Sequence, residues 1–293
     1  MNSKEGYIDL ILFSLFIGTV GIFVKLLQNF NVHTIIFFRY FIATLFIFLV
    51  AIFGKKWREL LLTSPFKTLL VGLSLGIASL FYFSAILKTS ISNAVFLLYT
   101  APIFSVLLAK LFFKEKIQKE TIIGIIITLV GIVFILDPRT FSFSSTQTIG
   151  NLMGLASGFF YAAQGLLAKD IMKKVSGYYT AFWQSLIITI MFLFFVKIGS
   201  VQIAINHWWK FLGLGILGAG IPTILFMRGI QKVPAQQIFI ITSLEPLMGT
   251  IFALLFLREF PTFMTLIGAF FIFYGVYRIT YSKARSPYNE VGT

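Results

Sequence analysis

At 293 residues, with 58% hydrophobic and only 12% charged, the chain carries more apolar sequence than one globular core absorbs. A mean hydropathy of +0.93 excludes an ordinary soluble domain and points to a polytopic membrane protein. The net charge of +14 does not signal nucleic acid, because Lys and Arg fall in short loops between apolar runs, where they orient a membrane protein.

Cys is absent, which removes disulfides and thiolate metal sites. The N-terminus lacks a basic start and a cleavage site, so its first apolar run is expected to be retained as a span. Ten spans are predicted at roughly 7–27, 33–53, 67–87, 91–112, 121–137, 149–169, 179–197, 209–229, 235–257 and 262–281, each near the 20 residues a helix needs to cross hydrocarbon. The runs are continuous and do not alternate, so the fold class is all-α.

Loop charges set the expected orientation. With the N-terminus inside, inner connections carry Lys55, Lys56 and Arg58, then Lys114, Lys116 and Lys119, then Lys173 and Lys174, then Lys232, and finally Lys283 and Arg285. Outer connections carry only Lys88, Arg139 and Arg258. The bias predicts a multi-pass protein of the cytoplasmic (inner) membrane with both termini cytoplasmic.

The stretch from Tyr99 to Glu115 recurs from Ser243 to Glu259. Pro102 pairs with Pro246, Ala109 with Ala253, Phe112 with Phe256 and Glu115 with Glu259, at an offset of 246 − 102 = 144. The same offset pairs Gly21 with Gly165, Lys25 with Lys169, Phe38 with Phe182, Gly76 with Gly220, Lys88 with Lys232, Gly124 with Gly268 and Gly131 with Gly275. The unit is five helices. Five is odd, so the second copy enters from the opposite side, giving two inverted five-helix repeats. The expected boundaries are 1–144, 145–282 and a short cytoplasmic tail at 283–293.

These features resemble the drug/metabolite transporter superfamily in its EamA-type ten-helix branch. The marks are the paired Pro-to-Glu helix ends, Gly18-Thr19-Val20-Gly21-Ile22-Phe23-Val24-Lys25, and Arg39-Tyr40-Phe41-Ile42-Ala43. The chain departs from internal symmetry at Trp183-Gln184, which stands opposite Arg39-Tyr40. The only acid in the first predicted span is Asp9, near its inner end, so the mid-membrane carboxylate of small four-helix multidrug pumps is not carried over. The resemblance implies a secondary transporter of small organic solutes and favours export of amino acids or related metabolites.

Pro102 and Pro246 each remove a backbone donor and strand the carbonyl four residues earlier, at Leu98 and Thr242. Such a pair is either a packed kink or a hinge whose freed groups line a substrate site. Pro222, opposite Ala78, reads as a kink only. Small residues at Gly150, Gly154, Gly158 and Ala162, at Gly72 and Gly76, and at Gly215, Ala219 and Gly220 predict close helix packing.

Glu245 lies near the middle of the ninth predicted span, opposite Ala101 in the first copy. An unpaired carboxylate there costs several kcal/mol, so it must be paired, protonated or wet. Arg39 either snorkels outward, pairs with an acid or meets substrate. Lys25, Lys110, Lys169 and Arg228 sit near span ends, where snorkelling accounts for them. Tyr82, Tyr99, Thr100, Tyr161, Gln164, Gln184, Gln237, Thr242 and Ser243 are polar at mid-span. Each serves a helix–helix hydrogen bond or a cavity for a modest polar or aromatic solute.

No enzyme motif stands beside these residues. His33 and His207 fall in predicted outer loops without acids at ligand spacing, and no nucleotide-binding Gly-rich loop is present. The expectation is no catalytic or metal site and no cofactor, with a small-molecule solute and the lipid bilayer as partners. Monomer and homodimer stand equal. The alternatives are uptake or exchange of a nucleotide-like or phosphorylated metabolite, and a non-transporting membrane scaffold.

Overall fold

The computed structural model describes residues 3–27, 29–88, 94, 97–114, 117, 119–136, 145–196, 206–258 and 263–282. The described residues contain helices and no strand. In chain order they are α1 (Ser3–Ile17), α2 (Val20–Leu26), α3 (Val32–Phe53), α4 (Pro65–Lys88), α5 (Ala101–Phe113), α6 (Lys119–Leu136) and α7 (Ser145–Ile171). There follow α8 (Gly177–Leu193), α9 (Trp208–Gly215), α10 (Ile221–Lys232), α11 (Ala235–Thr242), α12 (Glu245–Leu257) and α13 (Phe263–Ser282). A π-helical turn, Ile216–Gly220, joins α9 to α10.

Among the described residues, five stretches are long and apolar enough to cross a bilayer: Lys4–Val24, Val32–Phe53, Pro65–Ala85, Trp208–Lys232 and Gln237–Phe256. Ala101–Phe112, Gly177–Leu193 and Leu266–Arg278 are shorter apolar helices. Large apolar side chains such as Phe53, Phe66, Leu111 and Phe194 point outward, a surface suited to hydrocarbon rather than water. The protein is a multi-pass membrane protein.

Four predicted spans are not simple rods. The first breaks at Gly18-Thr19, the fourth at Tyr99-Thr100 and the ninth at Ser243-Leu244, while the eighth holds the π turn. Two of these breaks end just before Pro102 and Pro246, where a ring without an N–H cannot continue the preceding ladder. Residues 91–93 and 95–96 of the fourth span, Glu115, Lys116, Arg139, Glu259 and the tail 283–293 lie outside the described residues, as does the Lys25 side chain.

Residues 144 positions apart recur in matched roles. The breaks at 99–100 and 243–244 are one such pair. Lys114 and Arg258 are another: both end a helix in the left-handed region, at φ 53° and 55°. The crossing of α6 and α13 is a third. A Cβ on Gly131 would sit 2.6 Å from the Gly268 carbonyl oxygen, and one on Gly275 would sit 3.1 Å from that of Gly124. The Gly131 contact admits no side chain, and at Gly275 the Thr128 hydroxyl lies closer still than the Gly124 carbonyl.

The helices pack as α4 on α7, α1 on α10, α3 on α8, α5 on α11 and α6 on α13. At one end Lys232 bonds Glu5 at 2.6 Å, Lys67 bonds Asp170 at 2.7 Å, and the Trp183 indole donates to Leu60 O at 2.8 Å. Lys169 donates to the carbonyls of Ile230, at 2.8 Å, and Val233. This corrects the snorkelling expectation: its ammonium caps the end of α10 instead. At the opposite end Lys210 donates to Leu26 O at 3.2 Å, and His33 stacks on Phe195 with ring centres 5.1 Å apart.

Candidate functional site

Glu245 opens α12, one residue after the Ser243-Leu244 break. Its carboxylate lies close to the Tyr99 hydroxyl, which comes from the matching break before α5, so the two interruptions approach each other through these side chains. Arg39 from α3, Tyr82 from α4 and Tyr161 from α7 lie within electrostatic reach of the same carboxylate. Tyr40 reaches Tyr161. Tyr99 and Tyr40 are buried, whereas Glu245, Arg39, Tyr82 and Tyr161 are half-buried.

Arg39 is anchored by a second device. Pro222 has no N–H, so the carbonyl four residues before it, on Gly218, loses its usual helical donor. The backbone answers with the π turn, and Arg39 Nη2 donates to Gly218 O at 2.7 Å. Its guanidinium also lies 5.4 Å from the Tyr40 ring centre. Arg39 Nε is buried without a partner. The Arg is thus held half-buried beside the carboxylate rather than snorkelling to the surface.

Five of the sequence-predicted residues come together here: Glu245, Arg39, Tyr82, Tyr99 and Tyr161. The others bond elsewhere. Thr100 Oγ1 donates to Leu97 O at 2.6 Å, Thr242 Oγ1 to Phe239 O at 3.3 Å and Ser243 Oγ to Phe239 O at 2.8 Å. Gln237 accepts from the Tyr7 hydroxyl at 2.6 Å. The Gln164 amide donates to Gln184, and Gln164 Oε1 has no partner. These five close hydrogen bonds between or within helices. Pro102 and Pro246 sit in the first turns after the breaks.

The cluster falls where the 144-residue correspondence of the sequence lapses. The residues 144 positions from Glu245, Arg39, Tyr82, Tyr99 and Tyr161 are Ala101, Trp183, Phe226, Ser243 and Ile17. Opposite Gly218 in the π turn stands Ser74, inside the uninterrupted helix α4.

Comparison with known proteins places this arrangement. The model of the EamA-like transporter family matches residues 4–137 and again residues 148–281. The chain belongs to the EamA-like transporter family. An uncharacterized transporter of Archaeoglobus fulgidus is 29% identical to this EamA-like chain over 279 residues, covering 93% of it and 95% of the relative. The uncharacterized transporter YxxF of Bacillus subtilis is 27% identical over 287 residues, covering 94% and 90% respectively. A solved crystal structure shares the fold at a TM-score of 0.81 and 16% identity, covering 98% of this chain and 100% of that one.

Two site features were missed in the sequence. Tyr40 was noted only beside Arg39, although a Tyr in mid-span carries the same argument as Tyr82. The Gly218 carbonyl was legible too: the reasoning applied to Pro102 and Pro246 applies equally to Pro222.

Proposed function

We propose that this chain is a secondary transporter of small organic solutes in the cytoplasmic membrane. It has ten spans arranged as two inverted five-helix repeats, 1–144 and 145–282, with 283–293 as a cytoplasmic tail. The favoured activity is export of amino acids or related metabolites by alternating access. The observation that carries this reading is the closeness of Tyr99 and Glu245, which brings the two helix breaks together at a half-buried carboxylate deep in the bundle.

The repeat reading has independent support. The two family matches start 148 − 4 = 144 residues apart and end 281 − 137 = 144 apart. Shifting by that register exchanges α1 with α7 and α4 with α10, which turns the contact of α1 on α10 into that of α7 on α4. The contacts of α3 with α8 and of α6 with α13 map onto themselves. A self-complementary interface of this kind is what a pseudo-two-fold axis produces.

Residues Glu245, Arg39, Tyr82, Tyr99 and Tyr161 form the proposed solute site, and Pro102 and Pro246 the hinges. The carboxylate takes a cationic amine; the tyrosines offer hydroxyls and ring faces to an organic body. A phosphorylated solute fits less well, since Glu245 adds negative charge and Arg39 already holds Gly218. The test is a thermal-shift screen of the purified protein against amino acids, amines and nucleotides, followed by counterflow in vesicles with each compound that raises the melting point. Stabilisation by nucleotides alone would overturn the solute class, and binding without counterflow would overturn transport.

A further inference from the structure

Away from the Glu245 cluster, two cavities meet on one side of α7. The first is an apolar groove of about 240 Å³ between α5 and α7, lined by Leu108, Phe112, Phe159, Ala163, Leu166 and Leu167 and ending at Asp170. The second is a cup of about 260 Å³ at the end of the bundle, lined by Ser64, Lys67, Asp170 and Lys174 among others. Asp170 borders both, so groove and cup adjoin at this residue. Residues 163, 167, 170 and 174 share one stripe of α7 and its extension, at three- and four-residue spacing.

The chemistry changes along that stripe. The groove is hydrocarbon-like, with the aromatic contact between Phe104 and Phe159, ring centres 5.6 Å apart, at its far end. The cup is basic. Lys67 and Lys173 both bond Asp170, at 2.7 and 3.0 Å, and Lys174 stands beside them, exposed. Among the described residues at the mouth, basic side chains outnumber acidic ones: Lys67 and Lys174 line the cup with Asp170, and Lys173 bonds that carboxylate from its rim. From Phe159 to Asp170 the helix rises about 16 Å at 1.5 Å per residue, so the basic mouth lies one leaflet's depth from the groove's inner end.

We infer that an anionic phospholipid docks here, its phosphate in the lysine cup and one acyl chain in the groove between α5 and α7. The whole outer surface meets lipid, but this groove is concave and leads to excess positive charge, the pairing that selects an acidic headgroup at a membrane surface. Asp170 fixes Lys67 and Lys173 in place while leaving the mouth positive. The site stands apart from the proposed solute cluster and does not depend on it.

The test uses the full chain in mild detergent, with phosphatidylglycerol or phosphatidylcholine of identical acyl chains added and bound lipid read by native mass spectrometry. Phosphatidylglycerol is retained preferentially. Lys174→Gln and Lys67→Gln each cut its retention about fivefold and leave phosphatidylcholine unchanged. Ala163→Phe fills the groove and lowers retention of both. If Lys67→Gln loosens the bundle through Asp170, Lys174→Gln alone decides, because its melting point without lipid stays at the wild-type value. Equal retention of the two lipids, or an unchanged preference in Lys174→Gln, overturns the proposal. So does inorganic phosphate raising the melting point as much as phosphatidylglycerol, which would make the cup a free-anion site.

Discussion

Arg39 supplies the hydrogen bond that Pro222 denies to Gly218: its Nη2 lies 2.7 Å from that carbonyl, across from α3 to the π turn. A local defect at the π turn is thereby repaired by a cation from α3, and the same cation sits within electrostatic reach of Glu245. Arg39→Ala strands a buried carbonyl and should lower stability by about 1–3 kcal/mol. Pro222→Ala restores an N–H four residues after Gly218, so it should recover part of that loss in the double variant. Melting points of the two single variants and the double close the cycle. Strict additivity would mean that Arg39 and Pro222 act on different groups.

The crossing of α6 and α13 gives a prediction with its own control. Gly131→Ala and Gly275→Ala each force a Cβ toward the opposing backbone and should each cost about 1–3 kcal/mol. Their similar cost reflects matched positions on either side of one crossing. Gly21→Ala meets nothing within 4 Å and should leave the melting point unchanged. A large difference between Gly131→Ala and Gly275→Ala would break the equivalence on which the two-fold reading rests.

Much of this was legible in the sequence because proline and glycine act through the backbone. Pro102 and Pro246 predict breaks wherever they fall in an apolar helix, and the breaks are there. The glycines at 131, 268 and 275 mark a close crossing for the same reason. Polar mid-span residues are less informative. Gln164 and Glu245 both read as buried polar groups, yet Gln164 bonds Gln184 while Glu245 lies beside Tyr99 and Arg39. Which partner each finds depends on helix rotation, and a one-dimensional pattern does not specify that. The π turn was hidden for a related reason: its carbonyl partner lies 179 residues away in the chain.

The natural absence of Cys makes topology directly measurable, because an introduced cysteine is the sole thiol. A cysteine at Thr293 should resist an impermeant maleimide in intact cells and react after permeabilisation. One at His207 should react in intact cells. The reverse pattern would invert the proposed orientation and place the Lys67–Asp170 end outside.

Pro246→Ala returns a backbone donor to the carbonyl of Thr242 and should straighten the join between α11 and α12. If the break serves the cycle, transport slows by more than the melting point falls. Loss of stability in step with loss of transport would assign Pro246 to packing.

Glu245 carries the sharpest prediction. It is the first residue of α12, it lies close to Tyr99, and the residue 144 positions before it is Ala101. Glutamine at this position keeps the shape and a hydrogen-bond acceptor, but removes the charge and the titratable proton. If the carboxylate exchanges a proton or takes a substrate amine during the cycle, Glu245→Gln abolishes transport driven by a pH gradient while the protein stays folded in the membrane. If it serves only to balance Arg39, the same change strands a buried cation and lowers stability by roughly 3–5 kcal/mol. We expect the first outcome, because Arg39 retains its bond to Gly218 in either case. Melting temperature, and transport with and without an imposed pH gradient, separate the two in one variant. Normal values for both would remove Glu245 from the proposed solute site altogether.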